Sequence, residues 1–128
     1  MDKKIHILFV DDDEVTRRLF GHVLAAAGFE VIYAEDGNIG REMARRFQPD
    51  LILMDINIPV IDGIKAVNML RMESQTKHIP IILFTNSDLS IEAESAVKQL
   101  GATEYVSKSI EPKKLIDIIN ATLTKYTL

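Results

Sequence analysis

The chain has 128 residues, one domain's length, and its 47% hydrophobic and 27% charged composition suits a soluble globular protein with an ordinary core. A formal net charge of −4 argues against a nucleic-acid or anionic-membrane surface, both of which need a basic footprint. With no cysteine, disulfides and thiolate metal sites are excluded; the first apolar run, Ile5–Val10, is too short for a signal-peptide core or a membrane span, so a cytoplasmic location is expected.

Ile5–Val10 is almost continuously apolar, as a strand buried on both faces requires. From about Glu14 to Ala27, the residues Val15, Leu19, Val23 and Ala26 recur at helical spacing, and Gly28 is a natural stop. Glu30–Ala34 reads as a second strand. Asp36-Gly37 opens a helix with Ile39, Met43 and Phe47 on one stripe, ending before Pro49. Leu51–Met54 is the third strand, and Gly63 starts a helix bearing Ile64, Val67 and Leu70. Ile79–Phe84 is the fourth strand, followed by a helix carrying Ala93, Ala96, Val97 and Leu100 and closed by Gly101. Thr103–Ser107 is the fifth strand, and a last helix beginning near Pro112 carries Leu115, Ile118, Ile119 and Thr122.

Five strands alternating with five helices imply right-handed crossovers and a doubly wound, three-layer α/β/α domain around a parallel sheet. No repeat, low-complexity tract or linker interrupts the pattern, so residues 1–128 are expected to form a single domain with no output domain. In such sheets ligands sit beyond the carboxyl ends of the strands. The residues met there are Asp11, Asp12 and Asp13 after the first strand, Asp55 after the third, Thr85 after the fourth and Lys108 after the fifth. If strands one, three, four and five are neighbours, these groups converge. Clustered carboxylates repel, and a divalent cation removes that penalty. Mg²⁺ suits such a site, because it takes hard oxygen ligands, carboxylates and a phosphate oxygen together. Asp55 could then attack phosphorus as a carboxylate nucleophile, with Lys108 and Thr85 stabilising the equatorial oxygens.

VDDDEVTRRL and MDINIPVIDG, with D-x-x-x-P-x-x-D-G spacing from Asp55 through Pro59 to Asp62-Gly63, resemble the acidic and phosphoacceptor motifs of the receiver domains of two-component response regulators. The resemblance covers essentially the whole chain and is closest to single-domain, chemotaxis-type regulators. It implies the flavodoxin-like strand order 2-1-3-4-5. It also implies a signalling domain rather than a classical enzyme, one that catalyses its own phosphorylation and dephosphorylation. Carried over, Asp55 is the phosphoacceptor, Asp12 binds Mg²⁺ directly and Asp11 acts mainly through a water. The backbone carbonyl of Asn57 is a further ligand, Lys108 is the catalytic lysine, and Thr85 and Tyr105 form the switch pair. Asp13 matches no ligand position and is expected to cap the first helix. The implied partners are a sensor histidine kinase or histidine phosphotransfer protein and a downstream protein target, with no direct contact to nucleic acid or membrane.

Two positions depart from the family pattern. Ser109 follows Lys108 where the family has a proline after a cis bond; a cis bond before serine costs about 3 kcal/mol, so a trans or else strained peptide is expected. Asn86 follows Thr85 where a small residue is usual, and its bulk bears on Thr85 movement and phosphate access. These departures keep open a phosphorylation-independent interaction module on the same scaffold. Another alternative is a phosphatase of the haloacid dehalogenase type, with Asp11-Asp12-Asp13-Glu14-Val15 as its nucleophile motif; it leaves the Asp55 motif unexplained. His6, His22 and His78 share no metal-ligand spacing, and Arg17-Arg18 and Arg45-Arg46 read as solvated helix faces, the first pair flanking the expected kinase-docking helix.

Overall fold

A computed structural model of the chain describes residues 3–86 and 88–126. The elements run β1 (His6–Val10), α1 (Glu14–Ala26), β2 (Glu30–Ala34), α2 (Gly37–Phe47), β3 (Leu51–Met54), α3 (Gly63–Met72), β4 (Ile81–Thr85), α4 (Ile91–Gln99), β5 (Glu104–Ser107) and α5 (Pro112–Tyr126). The strands form one parallel sheet in the order β2-β1-β3-β4-β5, as expected.

The period-two alternation of a strand divides the core between the two faces. Ile7, Phe9, Leu51, Leu53, Ile82 and Phe84 pack with Phe20 and Leu24 of α1 and Leu115, Ile119 and Leu123 of α5. Leu8, Val10, Ile52, Met54, Ile81 and Leu83 pack with Ala44 of α2, Ala66, Val67 and Leu70 of α3 and Val97 of α4. Four helices begin on side-chain caps, with Asp13, Asp36, Asp62 and Ser90 accepting from the amides of Val15, Ile39, Lys65 and Ala93. All four caps lie on the edge of the sheet where the strands end.

Strand limits differ slightly from the apolar runs. β4 starts at Ile81 rather than Ile79, because Pro80 has no amide to donate and Ile79 instead bonds back to Thr76. Its far end extends to include Thr85. β1 and β5 each begin one residue later than the runs, at His6 and Glu104.

The buried stripes of α1 and α2 are not the predicted ones. Val15 and Leu19 are 72% and 57% exposed, while Phe20, Gly21 and Leu24 face the sheet. Phe20 sets the rotation of the helix by packing edge-on against Phe84, with ring centroids 4.8 Å apart. On α2, Ile39 and Phe47 are exposed and the buried positions are Gly37, Gly40 and Ala44. A side chain at Gly37 would meet the Ile61 carbonyl, and one at Gly40 would meet Val10. The helix lies too close to β1 and the loop before α3 for large residues. On α4, Val97 alone is buried, against the stripe of four expected.

Between β3 and α3 the chain turns sharply at Val60, whose φ of 71° places a β-branched residue in the left-handed region. The Pro59 carbonyl accepts from the Ile61 amide at 2.9 Å across it, closing a γ-turn. Val60 is 76% exposed, so no packing offsets the strain. Val60→Gly is therefore expected to raise the unfolding free energy by about 1 kcal/mol, read from the urea midpoint at unchanged m-value.

Candidate functional site

Parallel pairing places Asp11, Asp55 and Lys108 one residue beyond a strand and straps the main chain of each to the neighbouring strand. The Asp11 amide donates to the Ala34 carbonyl, the Asp55 amide to the Val10 carbonyl and the Lys108 amide to the Thr85 carbonyl, each at 3.0 Å. Thr85 closes β4 in register with Ser107 of β5. These hydrogen bonds hold the functional residues to the sheet itself rather than to a loose loop.

With β1, β3, β4 and β5 as neighbours, the side chains of Asp11, Asp12, Asp55 and Lys108 come together. Asp11 is wholly buried, Asp55 nearly so, and Asp12 exposed; carboxylate oxygens from all three lie within 4.8 Å of one another. The Lys108 ammonium sits between the two buried acids, 2.6 Å from Asp11 Oδ2 and 2.9 Å from Asp55 Oδ2. With Asp55 it makes a directed hydrogen bond. With Asp11 it makes an ion pair whose angles leave Oδ2 without a hydrogen-bond partner. The other Asp11 oxygen accepts from the Asp13 amide at 2.9 Å. A buried carboxylate oxygen left with an unused lone pair, beside two further carboxylates, is what a hard cation requires. The all-oxygen donor set fits Mg²⁺, with Asp11, Asp12 and Asp55 as the residues able to hold it.

Burial dominates the electrostatics of Asp11. Loss of solvent raises its carboxyl above the ordinary value, and the lysine and the Asp13 amide only partly reverse this. Burial pulls the other way on Lys108, but contacts with Asp11 and Asp55 outweigh it and its ammonium titrates above a free lysine. The lysine's stabilising contribution is thus present at neutral pH and fades as alkaline pH passes its raised pKa. Asp11 has the opposite consequence: with its pKa raised, the metal-free fold gains stability from this group as pH falls.

The remaining candidates are placed as follows. Asn57 is exposed and its amide donates to Asp55 Oδ1 at 3.3 Å. Asp13 lies outside the cluster and caps α1, where the Thr16 hydroxyl lowers its pKa. Tyr105 of β5 is half-buried and packs against the α2–α4 side of the core beside Leu89. Burial pushes its hydroxyl up, the Leu89 backbone hydrogen bond opposing. Every peptide bond among the described residues is trans, including that between Lys108 and Ser109. The loop there is held by a Ser107–Ser109 hydroxyl contact of 2.8 Å and by the Ile110 amide on the Ser107 carbonyl at 3.1 Å. Arg17 corrects the expectation of a solvated face: its side chain is only 16% exposed and one guanidinium nitrogen donates to the Asp11 carbonyl at 2.7 Å. Arg18, by contrast, is solvated and pairs with Glu14.

Known proteins share this fold and sequence pattern. Residues 7–120 match the family described as the response regulator receiver domain. The chain is 32% identical over 117 residues to the polar-differentiation response regulator DivK of Brucella anthropi, spanning 91% of this chain and 94% of that one. The chemotaxis response regulator CheY4 of Vibrio cholerae superposes with a TM-score of 0.85 at 34% identity, over 93% of this chain and 98% of that one. The receiver domain of sensor histidine kinase PA1611 from Pseudomonas aeruginosa, solved with a magnesium ion coordinated in the active site cleft, superposes with a TM-score of 0.83 at 28% identity, over 97% and 98% of the two chains.

A proton competes with a cation for Asp11. Mg²⁺ affinity measured by titration calorimetry is therefore expected to fall as pH drops through the raised Asp11 pKa, approaching about one logarithmic unit per pH unit. A flat profile across the acid range would contradict the assignment.

Proposed function

The chain belongs to the response regulator receiver domain family, and on that premise we propose that its 128 residues act as one receiver domain whose Asp55 accepts a phosphoryl group from a histidine kinase or histidine phosphotransfer protein with the aid of Mg²⁺. The observation that carries this reading is Lys108 held between Asp11 and Asp55 within the carboxylate cluster. The aspartyl phosphate then switches the binding of a downstream protein or passes the phosphoryl group along a relay.

In the forward step an Asp55 carboxylate oxygen attacks phosphorus; the new P–O bond forms as the P–N bond to the donor imidazole breaks. Asp11, Asp12, Asp55 and the Asn57 carbonyl would hold Mg²⁺, which would supply positive charge to offset the carboxylates and the phosphoryl group. Lys108 supplies a positive charge to the same oxygens and Thr85 a hydroxyl. Burial of Asp11 and Lys108 strengthens these interactions by excluding water. Hydrolysis by a water attacking phosphorus returns the free carboxylate, so the domain catalyses its own dephosphorylation. The Thr85 hydroxyl and the Tyr105 ring, on adjacent strands, form the switch pair that reads out the phosphoryl group.

The donor protein lands on the surface next to the site. The exposed side of α1 presents Val15, Leu19 and Val23 with Arg18 and His22 around a groove of about 360 Å³. No helix among the described residues is long and apolar enough to cross a membrane.

Incubation with acetyl phosphate and Mg²⁺ tests the site. Acid-stable, base-labile label is expected on Asp55, and Asp55→Asn is expected to reduce it to background while leaving circular dichroism and the unfolding midpoint near those of the parent. Label on Asp11 instead would indicate the hydrolase reading, and absence of label in the parent would indicate the phosphorylation-independent module. For the docking face, Leu19→Asp is expected to slow phosphotransfer from a histidine donor by about tenfold, as loss of a central apolar anchor does. Its rate with acetyl phosphate is expected to stay at the parental value.

A further inference from the structure

We propose that Arg17 is a positioning residue for the cation site, locking the Asp11–Asp12 peptide so that both carboxylates face the ion; this rests on the Mg²⁺ reading above. The Asp11 carbonyl takes no part in α1, whose first backbone bond runs from the Arg17 amide to the Asp13 carbonyl at 3.0 Å. Its partner is instead the Arg17 guanidinium, at 2.7 Å, reaching back from the second turn of α1. The Asp11 amide is already bound to β2 through the Ala34 carbonyl. Asp11 is thus pinned at both ends of its main chain, by the sheet on one side and by the helix on the other.

The carbonyl held by Arg17 belongs to the same rigid plane as the Asp12 amide. Fixing that plane fixes the N–Cα bond of Asp12, the axis from which its side chain departs. It also keeps the Asp13 amide on Asp11 Oδ1, so that Asp11 Oδ2 turns to Lys108. Without the guanidinium a buried carbonyl loses its partner, and rotation towards water would carry Asp12 with it. Arginine suits the task because its flat fork can hold the carbonyl with Nη1 while Nη2 lies 3.7 Å from Glu35 at the end of β2. Lysine would provide a single donor nitrogen and no fork.

Charge and geometry make opposite predictions. A cation this close to a dication site repels the ion, so removing the charge alone would tighten Mg²⁺ binding. If Arg17 acts by positioning, its removal weakens binding despite the loss of repulsion.

The test uses Arg17→Met, which keeps the apolar stem, and Arg17→Lys, which keeps the charge and a single donor nitrogen. Calorimetric Mg²⁺ affinity is expected to fall about tenfold or more in Arg17→Met, the usual effect of losing a group that orients a metal ligand, with partial recovery in Arg17→Lys. In the metal-free protein the Asp13 amide is expected to exchange with deuterium faster in Arg17→Met. The acetyl phosphate rate at saturating Mg²⁺ is expected to stay within about twofold of the parent, because the defect lies in holding the ion. Unchanged or tighter binding by Arg17→Met overturns the proposal, as does an equal weakening in Arg45→Met, which removes a remote surface charge. If Arg17→Met does not fold, parental Mg²⁺ affinity in Arg17→Lys overturns it. A parent that binds no Mg²⁺ would instead defeat the underlying reading of the site.

Discussion

Two carboxylates buried side by side are tolerable only because an ammonium stands between them. Asp11 and Asp55 come from adjacent strands, so parallel pairing alone would press their negative charges together. Lys108 comes from β5, two strands beyond β3, a separation of about 10 Å at the usual strand spacing. Only a long side chain spans that distance, and lysine does so while keeping its stem in the shelter of the strand ends. Its ammonium is too small a charge to balance all three acids, and the remainder makes the site receptive to a dication. The doubly wound order, with β1 and β3 central and β5 at the edge, is the geometric condition for this balance.

Much of that arrangement was legible because the chemistry sits where apolar runs stop. Asp11 and Asp55 each immediately follow a buried strand, Thr85 ends one, and Lys108 follows the edge strand β5, of which Val106 alone is buried. A continuous apolar run long enough for one strand is a strong local signal. The helix caps were partly legible for the same reason: Asp13 follows a strand and precedes an amphipathic stretch, as an N-cap does. Strand order was different. Periodicity gives the number of strands and not their neighbours, so convergence of the five groups rested on the likeness to a known family until the sheet pairing was in hand.

What the sequence obscured was rotation and distance. α1 carries two overlapping apolar stripes, and the one containing Val15 and Leu19 looks as good as the one containing Phe20 and Leu24. The choice between them is made by the Phe84 ring across the interface, a partner far away in the chain. On α2 Ile39 and Phe47 marked the wrong face and Met43 packs only partly against the core, because Gly37 and Gly40 lie too close to Ile61 and Val10 to carry side chains. Arg17 was hidden by its type: an arginine in an amphipathic helix reads as solvent-facing, and nothing in its neighbours signals a bond to a carbonyl six residues back. Val60 likewise gives no sign from identity alone that its φ is positive. At Ser109 the cost of a cis bond before a residue other than proline left a trans or a strained peptide open, and the bond is trans.

The shallow seating of α4 has a consequence of its own. With Val97 as its one buried side chain and Ile91 almost fully in water, this helix contributes less to the cohesion of the domain than any of its neighbours. Native-state opening begins where few apolar contacts must be surrendered, so α4 stands at the low end of the local stability scale. It is joined to the sheet through the segment after Thr85 and rests beside Tyr105 and Leu89. Free energy of a few kcal/mol released at the strand tips would therefore be felt first at this helix, while α1 and α5, anchored by Phe20, Leu24, Leu115 and Ile119, hold still.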